Sequence, residues 1–205
     1  NPTGTYLSAR EVERLQAGLR PDILFVLDSA YAEYATAGDY EAGIELVDRS
    51  ENTVMVRTFS KMGLAGARIG WMYGPAHVVD VLNRIRGPFN VNRAAQFAGA
   101  AAARDTGFTA RLQAYNARWR DWLTLALDGN AIRVVPSQGN FILVLFPDAE
   151  TSRAAFEALY AQGLIVREIG VYGIDNGLRI SIGPEAAMRR VAAILKEFGA
   201  PGAEA

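Results

Sequence analysis

Cysteine is absent from the 205 residues, and histidine occurs once, at His77. The first absence excludes disulfides, thiolate zinc sites and cysteine-held iron–sulfur clusters together. The second means that a histidine-based metal site or a Ser-His-Asp triad would have to be built around His77 alone. A dominant charge is missing too: 21 basic and 22 acidic residues leave a net charge of −1, so no overall field attracts nucleic acid or a membrane surface. No apolar run approaches the length that spans a bilayer, and no signal peptide is visible. These absences lead us to expect a cytoplasmic protein with no metal, no membrane and no nucleic-acid partner. What is present, half hydrophobic residues and 21% charged, is the balance of an ordinary globular protein.

The chain opens on "NPTGTYLSAREVERL", with no Met and no strand ahead of it, and reads as a fragment of something longer. Asn1-Pro2-Thr3-Gly4 is turn chemistry. Ser8 and Glu11 have the spacing of a capping box for a helix reaching about Leu19. "DILFVLD" (22–28) reads as a strand buried on both faces, with further strands at 52–58 and 68–74 and helices near 41–49 and 75–86. This alternation predicts an α/β layer with a largely parallel sheet. From about Asn92 a long Ala-rich helical stretch begins, with a break expected at Gly107, and we place a domain boundary near residue 97. Strands then follow at "AIRVV", "NFILVLF", "LIVRE" and "GLRISI". Helices are expected at "TSRAAFEALYAQG", closed by Gly163, and at "PEAAMRRVAAILKEF", with Pro184 at its first position. The tail "GAPGAEA" is expected to fray.

One stretch carries the chemical question: "RTFSKMGLAGARIG" (57–70) sets Lys61 among Phe59, Met62, Leu64 and Ala65. A lysine with little solvent around it has a destabilised ammonium, so its amine becomes a nucleophile able to form a Schiff base with a carbonyl compound. The bland alternative is a lysine that reaches out of its loop into water. Asp28 ends an apolar strand, where it could hold a ring nitrogen protonated or simply cap the next turn. Tyr31, in "DSAYAEY", could offer its phenol to a cofactor or be a half-buried packing residue. Asn1 could offer its amide or be a plain turn residue. Thr58, Ser60 and Arg68 bring the hydroxyls and the cation that a phosphate group needs. The T-x-x-K spacing of Thr58 and Lys61 is not that of a serine-type acyl enzyme, because no serine stands at the first position. His77 is expected on a helix surface, Arg84, Arg86 and Arg93 as solvated charges, and Trp71, Trp119 and Trp122 as packing residues.

In chain order, "NPTG", "LDSAYAEY", "RTFSKMGLAGARIG", "NFILV" and "GLRISIG" resemble the fold-type I pyridoxal-phosphate aminotransferases. The resemblance covers essentially the whole chain, as the carboxy-terminal half of such an enzyme. It implies an α/β fold in which residues 1–97 are the last part of a large, mixed-sheet cofactor domain and 98–205 a small α+β domain. Within that class, "PFNVN", "AAQFA" and "GLIVRE…YG…NGLRISIG" are similar to the histidinol-phosphate aminotransferases. Carried over, the resemblance makes Lys61 the Schiff-base lysine and proton shuttle, and pairs Asp28 with the pyridine nitrogen. It gives Asn1 and Tyr31 the ring oxygen, and Ser60 and Arg68, beside Thr58, the cofactor phosphate. Arg179, with Arg167 nearby, would clamp an anionic group of the substrate, and Asn140 would line the site. The partners implied are a phosphorylated amino alcohol, the glutamate/2-oxoglutarate pair and a second copy in a homodimer, within histidine biosynthesis. Two departures stand out. No ring-bearing residue lies between Met62 and Gly63, which brings Arg68 one position closer to Lys61 than the family pattern. The amino-terminal half, with its phosphate loop, stacking aromatic and cross-dimer tyrosine, is absent. Rival readings are an aromatic aminotransferase, a phospho-amino-acid decarboxylase, a cofactor-sensing domain of a transcription regulator, or an inert fragment.

Overall fold

The computed structural model describes residues 1–127 and 131–198; the tail "GAPGAEA" lies outside the described residues. The chain divides into two compact units, Leu7–Gln113 on the one hand and Asn1–Tyr6 with Ala114–Ala205 on the other.

In the first unit, α1 (Ala9–Ala17) begins at the expected box, with Ser8 accepting from the Glu11 N–H and Glu11 accepting from the Ser8 N–H at 2.8 Å. Three strands follow in the order β1 (Phe25–Asp28), β2 (Thr53–Thr58) and β3 (Gly70–Tyr73). The first pair is parallel, the second antiparallel. The expectation of a largely parallel sheet therefore gives way to a mixed one. The physical reason lies in the connection: residues 59–69 form two 3₁₀ turns, Phe59–Met62 and Ala65–Ala67, and carry no crossover that would return the chain to the start of the sheet. Leaving β2 and re-entering at the same end, β3 can only run back beside it. The strand expected to be buried on both faces is covered on one: Val26 is 52% exposed, and exposure alternates along β1. Trp71, expected as packing, is 42% exposed on β3, with the Arg57 guanidinium 5.4 Å from its ring. Three helices complete the unit's own elements, α2 (Ile44–Asp48), α3 (Ala76–Ile85) and α4 (Arg93–Arg104). His77 is exposed on α3, as expected.

α5 (Thr106–Leu127) starts one residue after Arg104–Asp105, so the helical break falls at Asp105 rather than Gly107. The Asp105 carboxylate accepts from the Phe108 N–H at 2.8 Å, the bond of an N-cap, and this local reward outweighs the glycine's weak preference for a turn. The second unit holds an antiparallel sheet, order β4 (Arg133–Val135), β5 (Phe141–Leu145), β7 (Gly177–Ser181), β6 (Arg167–Glu168). Of "LIVRE" only Arg167 and Glu168 pair, since their only partner strand is β7. α6 (Ala149–Ala161) and α7 (Glu185–Glu197) pack on this sheet around Ile142, Val144, Leu178 and Ile180, with Trp119, Leu123 and Leu127 of α5. Pro184 sits at the N-cap of α7, one residue earlier than expected, where its missing N–H is equally harmless.

Candidate functional site

Lys61 lies at the end of β2 in the first 3₁₀ turn of the 59–69 loop. Thr58 caps that turn, its hydroxyl accepting from the Ser60 N–H at 3.0 Å. The base of the loop is closed by the Phe59 N–H on the Ile69 carbonyl at 3.1 Å. Gly63 ends the turn at φ 86°, a conformation that a side chain would strain. At Gly70 a Cβ would stand 2.5 Å from the Arg57 carbonyl oxygen, so the strand can re-enter that tightly only with glycine. Arg68 adopts φ 50°, in the left-handed region that non-glycine residues seldom occupy. From there its Nη1 donates to Ser60 Oγ at 3.3 Å and to the Ala65 carbonyl at 3.1 Å. The shortened spacing between Lys61 and Arg68 therefore still brings the guanidinium back onto the residue before the lysine. α4 supports the loop through its small residue Gly99, where an added Cβ would meet Ile69 Cδ1 at 2.9 Å.

Opposite the lysine stands the segment that leaves β1. Asp28 is the last residue of that strand, exposed, with Oδ1 accepting from the Ala30 N–H at 3.1 Å. Ala32 N–H to Ser29 O at 3.1 Å and Tyr34 N–H to Tyr31 O at 2.9 Å wind the chain into a compact turn. The Tyr31 ring then faces the Lys61 ammonium, Nζ lying 5.1 Å from the ring centroid. Tyr34, 3% exposed, donates its hydroxyl to the Lys61 backbone carbonyl. Between them Glu33 forms an ion pair with Arg57 at 2.5 Å, the two side chains being 11% and 13% exposed. Burial pushes the Tyr40 hydroxyl above the usual phenol range, with Ser29, Arg57 and Glu33 as its polar neighbours. Asp28, Tyr31, Thr58, Ser60, Lys61 and Arg68 thus all belong to the first unit and cluster at one end of β1 and β2.

The other sequence candidates belong to the second unit. Arg179 on β7 donates to Asn1 Oδ1 at 2.8 Å, and its guanidinium lies 4.5 Å from the Phe141 ring centroid. Arg167 on β6 is its direct cross-strand partner in the antiparallel register. Two cations opposite each other on one face repel unless something anionic comes between them. Arg167 also reaches the Tyr172 hydroxyl at 3.4 Å. Asn140 is held by its backbone, its carbonyl accepting from the Ile182 N–H at 2.8 Å.

Three features of the site lie outside the motifs. Lys61 and Lys196 are the chain's two lysines, and Lys196 is exposed on α7; a simple count would have found this. Glu33–Arg57 and Tyr34–Lys61 carried no motif and depend on the fold. Among the described residues there is no His/Cys/Asp/Glu group able to hold a metal ion, and no helix long and apolar enough to cross a membrane.

The family model described as aminotransferase class I and II matches residues 1–195. The chain belongs to that family. Relatives within the aminotransferases include the histidinol-phosphate aminotransferase of Rhodospirillum rubrum, 53% identical over 201 residues that make up 97% of this chain and 54% of that protein. The histidinol-phosphate aminotransferase of Nitrobacter winogradskyi is 52% identical over 202 residues, 97% of this chain and 55% of that protein. The chain therefore spans about half the length of the curated relatives it matches. Among solved structures, the histidinol-phosphate aminotransferase of Sinorhizobium meliloti in complex with pyridoxal-5'-phosphate aligns with a TM-score of 0.87 and 31% identity, covering 97% of this chain and 55% of that one. The mixed sheet described above is thus part of the fold-type I architecture of class I and II aminotransferases.

Proposed function

We propose that this chain carries the lysine side of a pyridoxal-phosphate transamination site, moving an amino group between histidinol phosphate and the 2-oxoglutarate/glutamate pair. The observation that carries the reading is the Lys61 amine standing over the Tyr31 ring, with Ser60 and Arg68 joined beside it. The donor set fits the cofactor's chemistry. A phosphate needs a cation and hydroxyls, which Arg68, Ser60 and Thr58 supply on one turn. A protonated pyridine nitrogen needs a carboxylate, which Asp28 supplies at the open end of its strand. A Cβ added at Gly63 or Gly66 would meet nothing within 4 Å, so the loop is uncrowded on that side. The identity of about half the residues with relatives named histidinol-phosphate aminotransferase supports the choice of substrate.

Bound pyridoxal phosphate supplies an electron sink that lets the substrate's amino-bearing carbon give up a proton. Lys61 Nζ would be the amine that holds the cofactor and the base that takes up and returns that proton. Asp28 would keep its carboxylate against the ring nitrogen and Tyr31 would offer its hydroxyl to the ring oxygen, a role that the family resemblance also gives Asn1. Arg68, Ser60 and Thr58 would hold the phosphate. Arg179 and Arg167, whose like charges favour an anion between them, would take the substrate's phosphate or carboxylate, and the family resemblance adds Asn140 to the substrate side. The reading includes a homodimer in the cytoplasm. The test is a two-stage transfer: protein and pyridoxal phosphate are given histidinol phosphate, then 2-oxoglutarate after removal of the first substrate. Glutamate should appear only after both stages, as ping-pong kinetics requires. Glutamate formed better from an aromatic amino acid than from histidinol phosphate would contradict the substrate assignment.

A further inference from the structure

We propose that Tyr34 is a positioning residue for Lys61, its hydroxyl holding the lysine's main chain so that the amine is presented at a fixed place. The inference rests on the reading of Lys61 given above and adds to it a residue that no motif marks. A short 3₁₀ turn leaves its last carbonyls without partners of its own. In the 59–62 turn the Phe59 carbonyl is satisfied twice, by the Gly63 N–H and by the Leu64 N–H at 3.2 Å. The Lys61 carbonyl, two residues on, receives the Tyr34 hydroxyl instead.

Tyr34 suits this task because it is itself fixed. Its ring is 3% exposed, and its own N–H closes the turn on Tyr31. The next residue back, Glu33, is paired with Arg57 immediately before Thr58. One short turn therefore grips the lysine strand and loop three times: Glu33 at Arg57, Tyr34 at the Lys61 carbonyl, and Tyr31 at the Lys61 ammonium. Gripping both the backbone and the amine limits where Nζ can go, which matters because misplacing a reacting group by about 1 Å can cost ~100-fold in rate. Phenylalanine would fill the same space without a donor, so the hydroxyl's contribution can be isolated.

The experiment compares wild type with Tyr34→Phe in the full chain. With carbonyl-¹³C lysine the protein gives two lysine carbonyl signals, one from each lysine. Without cofactor, Tyr34→Phe should shift the Lys61 signal upfield, the sense of a lost hydrogen bond, and leave the Lys196 signal in place. Amide exchange in residues 61–64 should quicken about fivefold, as expected for one lost hydrogen bond. With pyridoxal phosphate, covalent attachment trapped by borohydride should slow about tenfold or more. In turnover kcat should fall with KM little changed, a split that a packing role would not produce. An unmoved Lys61 carbonyl signal overturns the bond, and an attachment rate within about twofold of wild type overturns the positioning role. If wild type itself attaches no cofactor, the proposed function fails, and the carbonyl signal alone then decides whether Tyr34 holds the loop.

Discussion

The two units are built on different principles. The second unit (Asn1–Tyr6 with Ala114–Ala205) closes an apolar core from its own strands and helices, with Ile142, Val144, Leu178 and Leu195 fully buried. The first unit (Leu7–Gln113) buries Val54 and Met55 of β2, but its β1 and β3 stay half-exposed at Val26 and Trp71, and it encloses the Glu33–Arg57 ion pair. The chemistry proposed for Lys61 sits in the polar, partly open unit, beside that pair. A packed apolar core gives stability but offers no groups for reaction, whereas buried polar groups must be matched one by one and are available to position reactive ones.

The strongest way to break this comparison is to remove one member of the polar tie. Arg57→Ala should destabilise the first unit by about 3–5 kcal/mol, because the Glu33 carboxylate is left buried without its counter-charge. Denaturant unfolding followed by amide exchange in each unit would read it, with the loss confined to residues 7–113. Ile142→Ala in the second unit should cost about 2–5 kcal/mol from the cavity it leaves. The matching change on the open sheet, Val26→Ala, should cost less than about 1 kcal/mol in the same measurement. A large loss at Val26 would mean that the open face is not open in solution.

Smaller effects sharpen the picture. Asn92 caps α4, the helix that supports the lysine loop, by accepting from the Ala95 N–H at 2.8 Å. Asn92→Ala should cost about 1 kcal/mol, visible as a lower denaturation midpoint. The smallest effect is acid dependence, and it should not distinguish the units. Hydrogen bonds from Ser8 to Glu11, and from Thr151 to Asp148, hold both carboxyls below their ordinary pKa values. A depressed folded pKa means that their contribution is present at neutral pH, above the unfolded-state value, and lost as pH falls through the folded-state value. Stability should thus decline modestly on the acid side in both α1 and α6, and Glu11→Gln, which removes the titrating group, should flatten the first decline only.

Much of this was legible in the residues. The capping box at Ser8, the turn glycine Gly163 at φ 71° and the strands at 53–58 and 141–145 follow from local chemistry that tertiary contacts did not override. The loop from Thr58 to Arg68 was recognisable because a lysine between hydroxyls and small residues is an unusual neighbourhood. Three things were not legible. The direction of β3 depends on where the chain travels between strands, and residues 59–69 carry no periodicity that reveals it. The exposure of Val26 depends on what covers a face, and an apolar run states only what a strand is able to bury. Tyr34 and Glu33–Arg57 depend on a turn that folds back over the next strand, a contact across more than twenty residues that no spacing rule marks.

The central claim is that Lys61 is the residue to which pyridoxal phosphate attaches, and the chain's composition makes it directly testable, since Lys196 is the only other side-chain amine. The measurement is borohydride reduction with pyridoxal phosphate, followed by peptide mapping by mass spectrometry. The cofactor's mass should appear on the Lys61 peptide in wild type and disappear in Lys61→Ala. Attachment of comparable yield in Lys61→Ala, or label on the Lys196 peptide in place of Lys61, would contradict it.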